Sequence, residues 1–191
     1  MRHVAGKAGF QLRFDRAADE YEAELCWNAR MSLMTINALV IGIGNEYRGD
    51  DAVGLIVARR LRSQVPEGVR VFEESGEGAA LMEAWRGADF VILIDAVHSG
   101  GKPGAIHRID ARAEEIPGNF FHYSTHAFSV AEAVELARAL GELPPRLVLY
   151  GIEGKRFESG AALSPEVEAA AGETADRVKA ELCTSSLSST T

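Results

Sequence analysis

The chain reads as an α/β protein, a three-layer sandwich around a five-stranded, mainly parallel twisted sheet. Three observations predict this. Two continuous apolar runs, ALVIGI at 38–43 and FVILIDAV at 90–97, are what a parallel strand covered on both faces requires. Helix-periodic segments separate the strand-like ones, and such alternation builds βαβ units. Glycines and helix-capping residues punctuate the junctions.

In chain order, the first strand runs into the turn of GIGNEYRGDDAVG (42–54), where Gly42 and Gly44 are expected to let the backbone turn. Open α/β sheets place ligands at such carboxyl ends. Ala52, Val53, Ile56, Val57, Arg59, Arg60 and Leu61 then recur at helical spacing, so Asp50 or Asp51 falls at or near the helix N-cap. One cap needs one acid, which leaves the other for chemistry. VRVFEE (69–74) is the second strand, followed by a Gly-bounded helix through Leu81, Met82 and Trp85. After the third strand, AIHRID (105–110) alternates as an edge or one-sided strand does. Ser124 or Thr125 is expected to cap a helix carrying Val130, Val134, Ala137 and Leu140, which Gly141 closes. RLVLYGI (146–152) is the fifth strand, and Ser164-Pro165-Glu166 opens the last helix.

The domain expected from this pattern covers 35–183. Residues 1–34 form an N-terminal extension without a strand of their own, poorly ordered apart from a short helix around 17–27; 184–191 is a polar tail expected to be disordered. Composition narrows the function. The net charge of −8 offers no basic stripe for nucleic acid, and no segment approaches the ~20 apolar residues of a membrane span. Charges interrupt the N-terminus, unlike a signal peptide. Cys26 and Cys183 lie far apart and form no C-x-x-C pair or disulfide framework, so a cytoplasmic location is expected.

The glycine turn is not a dinucleotide fingerprint. Tyr47 stands where the third glycine belongs, and Asp50 and Asp51 would repel a pyrophosphate from the helix end. A nucleotide-binding enzyme therefore survives only as a weak alternative, and no P-loop lysine follows. Asp51 after the first strand, Asp95 at the end of FVILID and His126 at a helix start make another set. Two carboxylates and an imidazole are an incomplete shell for nickel or zinc, with room for substrate or water. Read singly, Asp95 could cap a loop and His126 could be a helix-end polar residue. His98 and His122 lie near these motifs as accessory ligands or as solvated loop histidines.

The ordered set GIGNEYRGDDAVG, ESGEG (74–78), LIDAVHSGGKPG (93–104), STHAFSVAEAVELARALG (124–141), YGIEG (150–154) and LSPEV (163–167) resembles the hydrogenase maturation endopeptidases over about three quarters of the chain. That resemblance implies an endopeptidase that removes the C-terminal peptide of a nickel-iron hydrogenase large-subunit precursor after nickel insertion. It implies a phosphorylase/hydrolase-like fold and no organic cofactor; with the charge and hydropathy above, a monomer without nucleic-acid or membrane partner is expected. The nickel would be carried by the precursor and recognised by Asp51, Asp95 and His126, which would also serve catalysis. With no Ser-His-Asp or Cys-His nucleophile evident, the implied chemistry is carboxylate- or metal-assisted attack of water. A non-catalytic chaperone that checks nickel would use the same three ligands. ESGEG departs from the family's usual D-G-G-T-x-G turn, which leaves the choice of hydrogenase open.

Overall fold

The computed structural model describes residues 37–117, 120 and 128–187, with side chains to 184. The extension 1–34, His122 and His126 lie outside the described residues. Five strands form one sheet in the order β2-β1-β3-β5-β4: β1 (Ala38–Ile43), β2 (Arg70–Glu74), β3 (Phe90–Val97), β4 (Ile106–Asp110) and β5 (Arg146–Glu153). Pairings β1·β2, β1·β3 and β3·β5 are parallel; β4 joins β5 antiparallel at an edge, where its alternating pattern belongs.

Helices α1 (Val53–Leu61), α2 (Gly78–Trp85), α3 (Val130–Leu140) and α4 (Pro165–Leu187) cover the sheet. Every residue of β1 and β3 is buried, because each strand has a helix layer on both sides. Leu39, Ile41, Val91 and Leu93 pack with Leu81 and Trp85 of α2 and Val134 of α3. The alternate residues Val40, Ile92 and Ile94 pack with Val53 and Val57 of α1 and Val167 and Val178 of α4. β1 connects to β2 through α1 on one face, and β2 connects to β3 through α2 on the other. The strand order therefore reverses between β1 and β3, and a crevice opens at their carboxyl ends.

The sequence-based expectations need five corrections. Gly42 makes no turn: it lies within β1, where a Cβ would meet the Gly54 carbonyl oxygen at 2.2 Å and the Ala58 Cβ at 2.5 Å. Its smallness lets α1 lie directly on the strand, and Gly44, with φ +146°, makes the turn. Neither aspartate caps α1. A short 3-10 turn, Gly49–Ala52, precedes the helix, and its flanking residues make no side-chain cap bond.

The helix expected from Ser124 or Thr125 begins instead at Val130. Ser129 accepts from the Glu132 N–H while the Glu132 carboxylate accepts from the Ser129 N–H, a reciprocal capping box that fixes this start; Ser124 and Thr125 lie outside the described residues. Finally, α4 continues to Leu187, beyond the boundary drawn at 183, since an established helix propagates cheaply into Ser and Thr. Cys183 on that helix is disulfide-bonded, although the spacing of the cysteines predicts no disulfide framework. Cys26 lies outside the described residues.

Candidate active site

Asp50 and Asp51 are neighbours with opposite surroundings. Asp50 is fully buried. Its Oδ2 accepts from the backbone N–H of Lys155 (2.8 Å) and Arg156 (2.9 Å) and from the Ser164 hydroxyl (2.9 Å), and Oδ1 accepts from the Ser164 N–H (2.6 Å). Burial by itself would raise this carboxyl's pKa, but the bonds from Ser164, Arg156 and Lys155 outweigh it and hold the pKa below the usual carboxylate value. Asp50 thus fastens the β1–α1 turn to the β5–α4 loop. Asp51, one residue on, is the acid left over.

Asp51 lines a cleft of about 590 Å³ at the carboxyl ends of β1 and β3. Asp95 lines it too, from within β3. Strand alternation places Asp95 on the same face as Val91, Leu93 and Val97, so a carboxyl occupies what would otherwise be a core position. Gly151, its register partner on β5, contributes no side chain beside it. Burial first, and then the negative charge of Asp51, push the Asp95 pKa well above its ordinary value; the Ala96 N–H donating to Oδ1 at 2.8 Å only partly offsets them. The cleft therefore brings together one carboxyl that binds its proton more tightly than usual and a second acid, Asp51, close enough to act on it, a pairing suited to proton transfer or to binding a cation.

The remaining wall is mixed. Arg48, Arg59, Glu73 and Glu74 supply charge, and His98, Phe120 and Phe157 supply rings, with His98 edge-on to Phe157 at 5.6 Å. Exposed Tyr47 stands at the rim. The sequence leaves His98 as an accessory ligand or a solvated loop histidine and carries no signal that places Arg48 or Phe157 in this wall. The loop after His98 is tied down by Glu153, a buried carboxylate at the end of β5. It accepts from the N–H groups of Ser99 (2.9 Å), Gly100 (3.0 Å) and Gly101 (3.0 Å) and from the Ser99 hydroxyl (2.8 Å). The SGG and IEG motifs are thus two halves of one anion nest.

The ESGEG turn also acquires a local explanation. The Glu77 carboxylate caps α2 by accepting from the N–H of Ala79 and Ala80, and Gly78 abuts the Phe128 ring, leaving no room for a Cβ. Among the described residues, no three His, Cys, Asp or Glu side chains converge on one metal position. Asp51 and Asp95 supply two oxygen donors. The third residue of the set, His126, lies outside the described residues.

The fold is thus a five-stranded α/β sheet with Asp51 and Asp95 lining one cleft at its switch point. The sequence profile of the hydrogenase maturation protease family matches residues 56–181, 126 of the 191 positions, and the chain belongs to that family. It is 30% identical over 135 residues to the hydrogenase 2 maturation protease of Escherichia coli, covering 69% of this chain and 81% of that one. It is 32% identical over 139 residues to a hydrogenase expression/formation protein of Azotobacter vinelandii, covering 70% of this chain and 66% of the relative. Among solved structures, a hydrogenase maturating endopeptidase from E. coli matches with TM-score 0.68 at 28% identity, over 78% of this chain and 93% of that one. A [NiFe] hydrogenase maturation protease from Thermococcus kodakarensis matches with TM-score 0.59 at 26% identity, over 78% and 93% respectively. The protein is an endopeptidase of this family.

Proposed function

We propose that this endopeptidase removes the C-terminal peptide of a nickel-iron hydrogenase large-subunit precursor once nickel has been inserted, and that Asp51 and Asp95 read the metal. The observation that carries this reading is the Asp95 carboxyl, buried in an otherwise apolar strand and opening into the same cleft as Asp51. An ionised carboxylate is costly there unless a cation joins it, so the cleft is predisposed to accept positive charge. A metal arriving there would favour the ionised form of Asp95, opposing the burial that raises its pKa. Two carboxylate oxygens suit a borderline divalent ion; His126 enters as the third ligand on the strength of the resemblance alone. The metal belongs to the substrate, and water attacks the scissile carbonyl with assistance from a carboxylate or from the metal as Lewis acid.

We place the protein in the cytoplasm as a monomer. The family resemblance supports this, and no described helix is long and apolar enough to cross a membrane. The disulfide at Cys183 is the observation on the other side, since cytosolic thiols are held reduced.

The experiment is to incubate purified protein with nickel-loaded and nickel-free precursor and follow the mobility shift of the large subunit. Cleavage confined to the loaded form is the expected result, and equal cleavage of both contradicts nickel reading. Tight binding of the loaded precursor without cleavage would favour the checking chaperone.

A further inference from the structure

Arg48 stands in the cleft beside the acidic pair. Its Nη1 lies 3.8 Å from Asp51 Oδ2, and its Nε donates to the Phe157 carbonyl at 3.3 Å. Both side chains of the ion pair are about one-fifth exposed. A separation of 3.8 Å is a loose contact rather than a bidentate hydrogen-bonded fork, and a stronger cation can displace it. Arg59, which also lines the cleft, is engaged elsewhere, with Glu73 at 2.8 Å and Glu46 at 3.4 Å. Of these two cleft guanidiniums, Arg48 is the one whose partner belongs to the acidic pair.

We propose that Arg48 is the resident counter-ion of the acidic pair: it neutralises Asp51 in the empty cleft and so sets an electrostatic threshold against free divalent cations. This inference rests on the reading of Asp51 and Asp95 as a cation site. A free hydrated cation must shed water and displace the guanidinium, with only the cleft's few ligands in return. A metal already seated in a folded partner arrives with most of its ligand set, and the docking surface contributes further binding energy. The Phe157 carbonyl gives the displaced guanidinium a second anchor, so it can swing off Asp51 without entering solvent entirely. The device would let the enzyme discriminate a metal presented by protein from the same metal in solution.

The test is isothermal titration calorimetry of Zn²⁺ into the full-length wild type, Arg48→Met, Arg48→Lys and the double variant Arg48→Met/Asp51→Asn, with melting temperatures checked for each. Removing a unit charge a few ångströms from the site should tighten Zn²⁺ binding about tenfold in Arg48→Met, allowing for solvent screening. Arg48→Lys, which keeps the charge, should stay near wild type, and Asp51→Asn should abolish the gain. Arg48→Gln replaces the Met variant if that protein does not fold. Equal affinities in wild type and Arg48→Met overturn the counter-ion role while leaving the acidic pair intact as a metal reader. A gain that persists in the double variant places the zinc elsewhere and also overturns it. Failure of every protein to bind Zn²⁺ overturns the acidic pair as a cation site, and this inference with it.

Discussion

Ser164 donates both its backbone N–H and its hydroxyl to Asp50, 114 residues earlier in the chain, at 2.6 and 2.9 Å. This contact joins the start of α4 to the turn that presents Asp51. Asp50→Ala should therefore destabilise the fold strongly, because Ser164, Arg156 and Lys155 are all left with a backbone donor lacking its acceptor. Each orphaned donor costs about 1–3 kcal/mol where water cannot replace the bond. The pH dependence follows from the lowered pKa. The stabilisation is present above the unfolded carboxylate value near 3.8 and is lost as pH falls through the lower folded value. Urea unfolding at pH 7 and pH 3 should show the gap between wild type and variant shrinking in acid.

Asp95→Asn should do the opposite. A carboxyl whose pKa is raised by folding stabilises the native state fully only below its unfolded pKa near 3.8, and that stability is lost as pH rises toward the folded value. At neutral pH the amide removes this penalty and its Oδ1 can still accept from the Ala96 N–H. The variant should melt higher than wild type at pH 7, lose that advantage near pH 4, and fail to process precursor. A lower melting temperature at pH 7 would show that the carboxyl is compensated in the native state.

Gly54→Ala probes how α1 holds Asp51. A Cβ there would meet the backbone oxygens of Ile43 and Ile94 at 2.2 Å, and neither strand can move aside. The helix must lift, at a cost of about 1–3 kcal/mol or more for overpacking. The 3-10 turn that carries Asp51 should shift with it, so processing should fall further than the loss of folded protein explains. Thermal unfolding and specific activity, measured on the same preparation, separate the two effects.

Glu153→Ala should free the Ser99–Gly100–Gly101 loop beside the cleft. Hydrogen exchange at those three amides is the direct readout, with protection expected to fall while the β5 amides stay protected. Unchanged exchange would mean that the loop is held by other contacts.

The strands were legible because burial on both faces leaves an uninterrupted apolar run, and β3 lies where FVILIDAV predicts it. Asp95 was legible for the same reason, as the one acid inside such a run. Asp50 was not: its role depends on Lys155, Arg156 and Ser164, more than 100 residues away, and nothing local marks it. Gly42 was misread because a turn glycine and a close-approach glycine look identical in sequence, and only the position of α1 separates them. The start of α3 could have been found, since Ser129-x-x-Glu132 is a capping box in plain view. Arg48 escaped notice because its significance lies in proximity to Asp51, which helical spacing alone does not assign to a cleft.

The central claim is that the Asp51 carboxylate reads the metal of the precursor. The most direct test is the rate at which Asp51→Asn processes nickel-loaded large subunit, measured alongside its melting temperature. Asp51 caps no helix, and its ion pair with Arg48 is partly exposed, so stability should change by no more than roughly 0.5–1 kcal/mol. The amide keeps the shape but lacks the anionic oxygen, and processing should fall by at least about 100-fold. A variant that folds like wild type and cleaves at the wild-type rate would contradict the account.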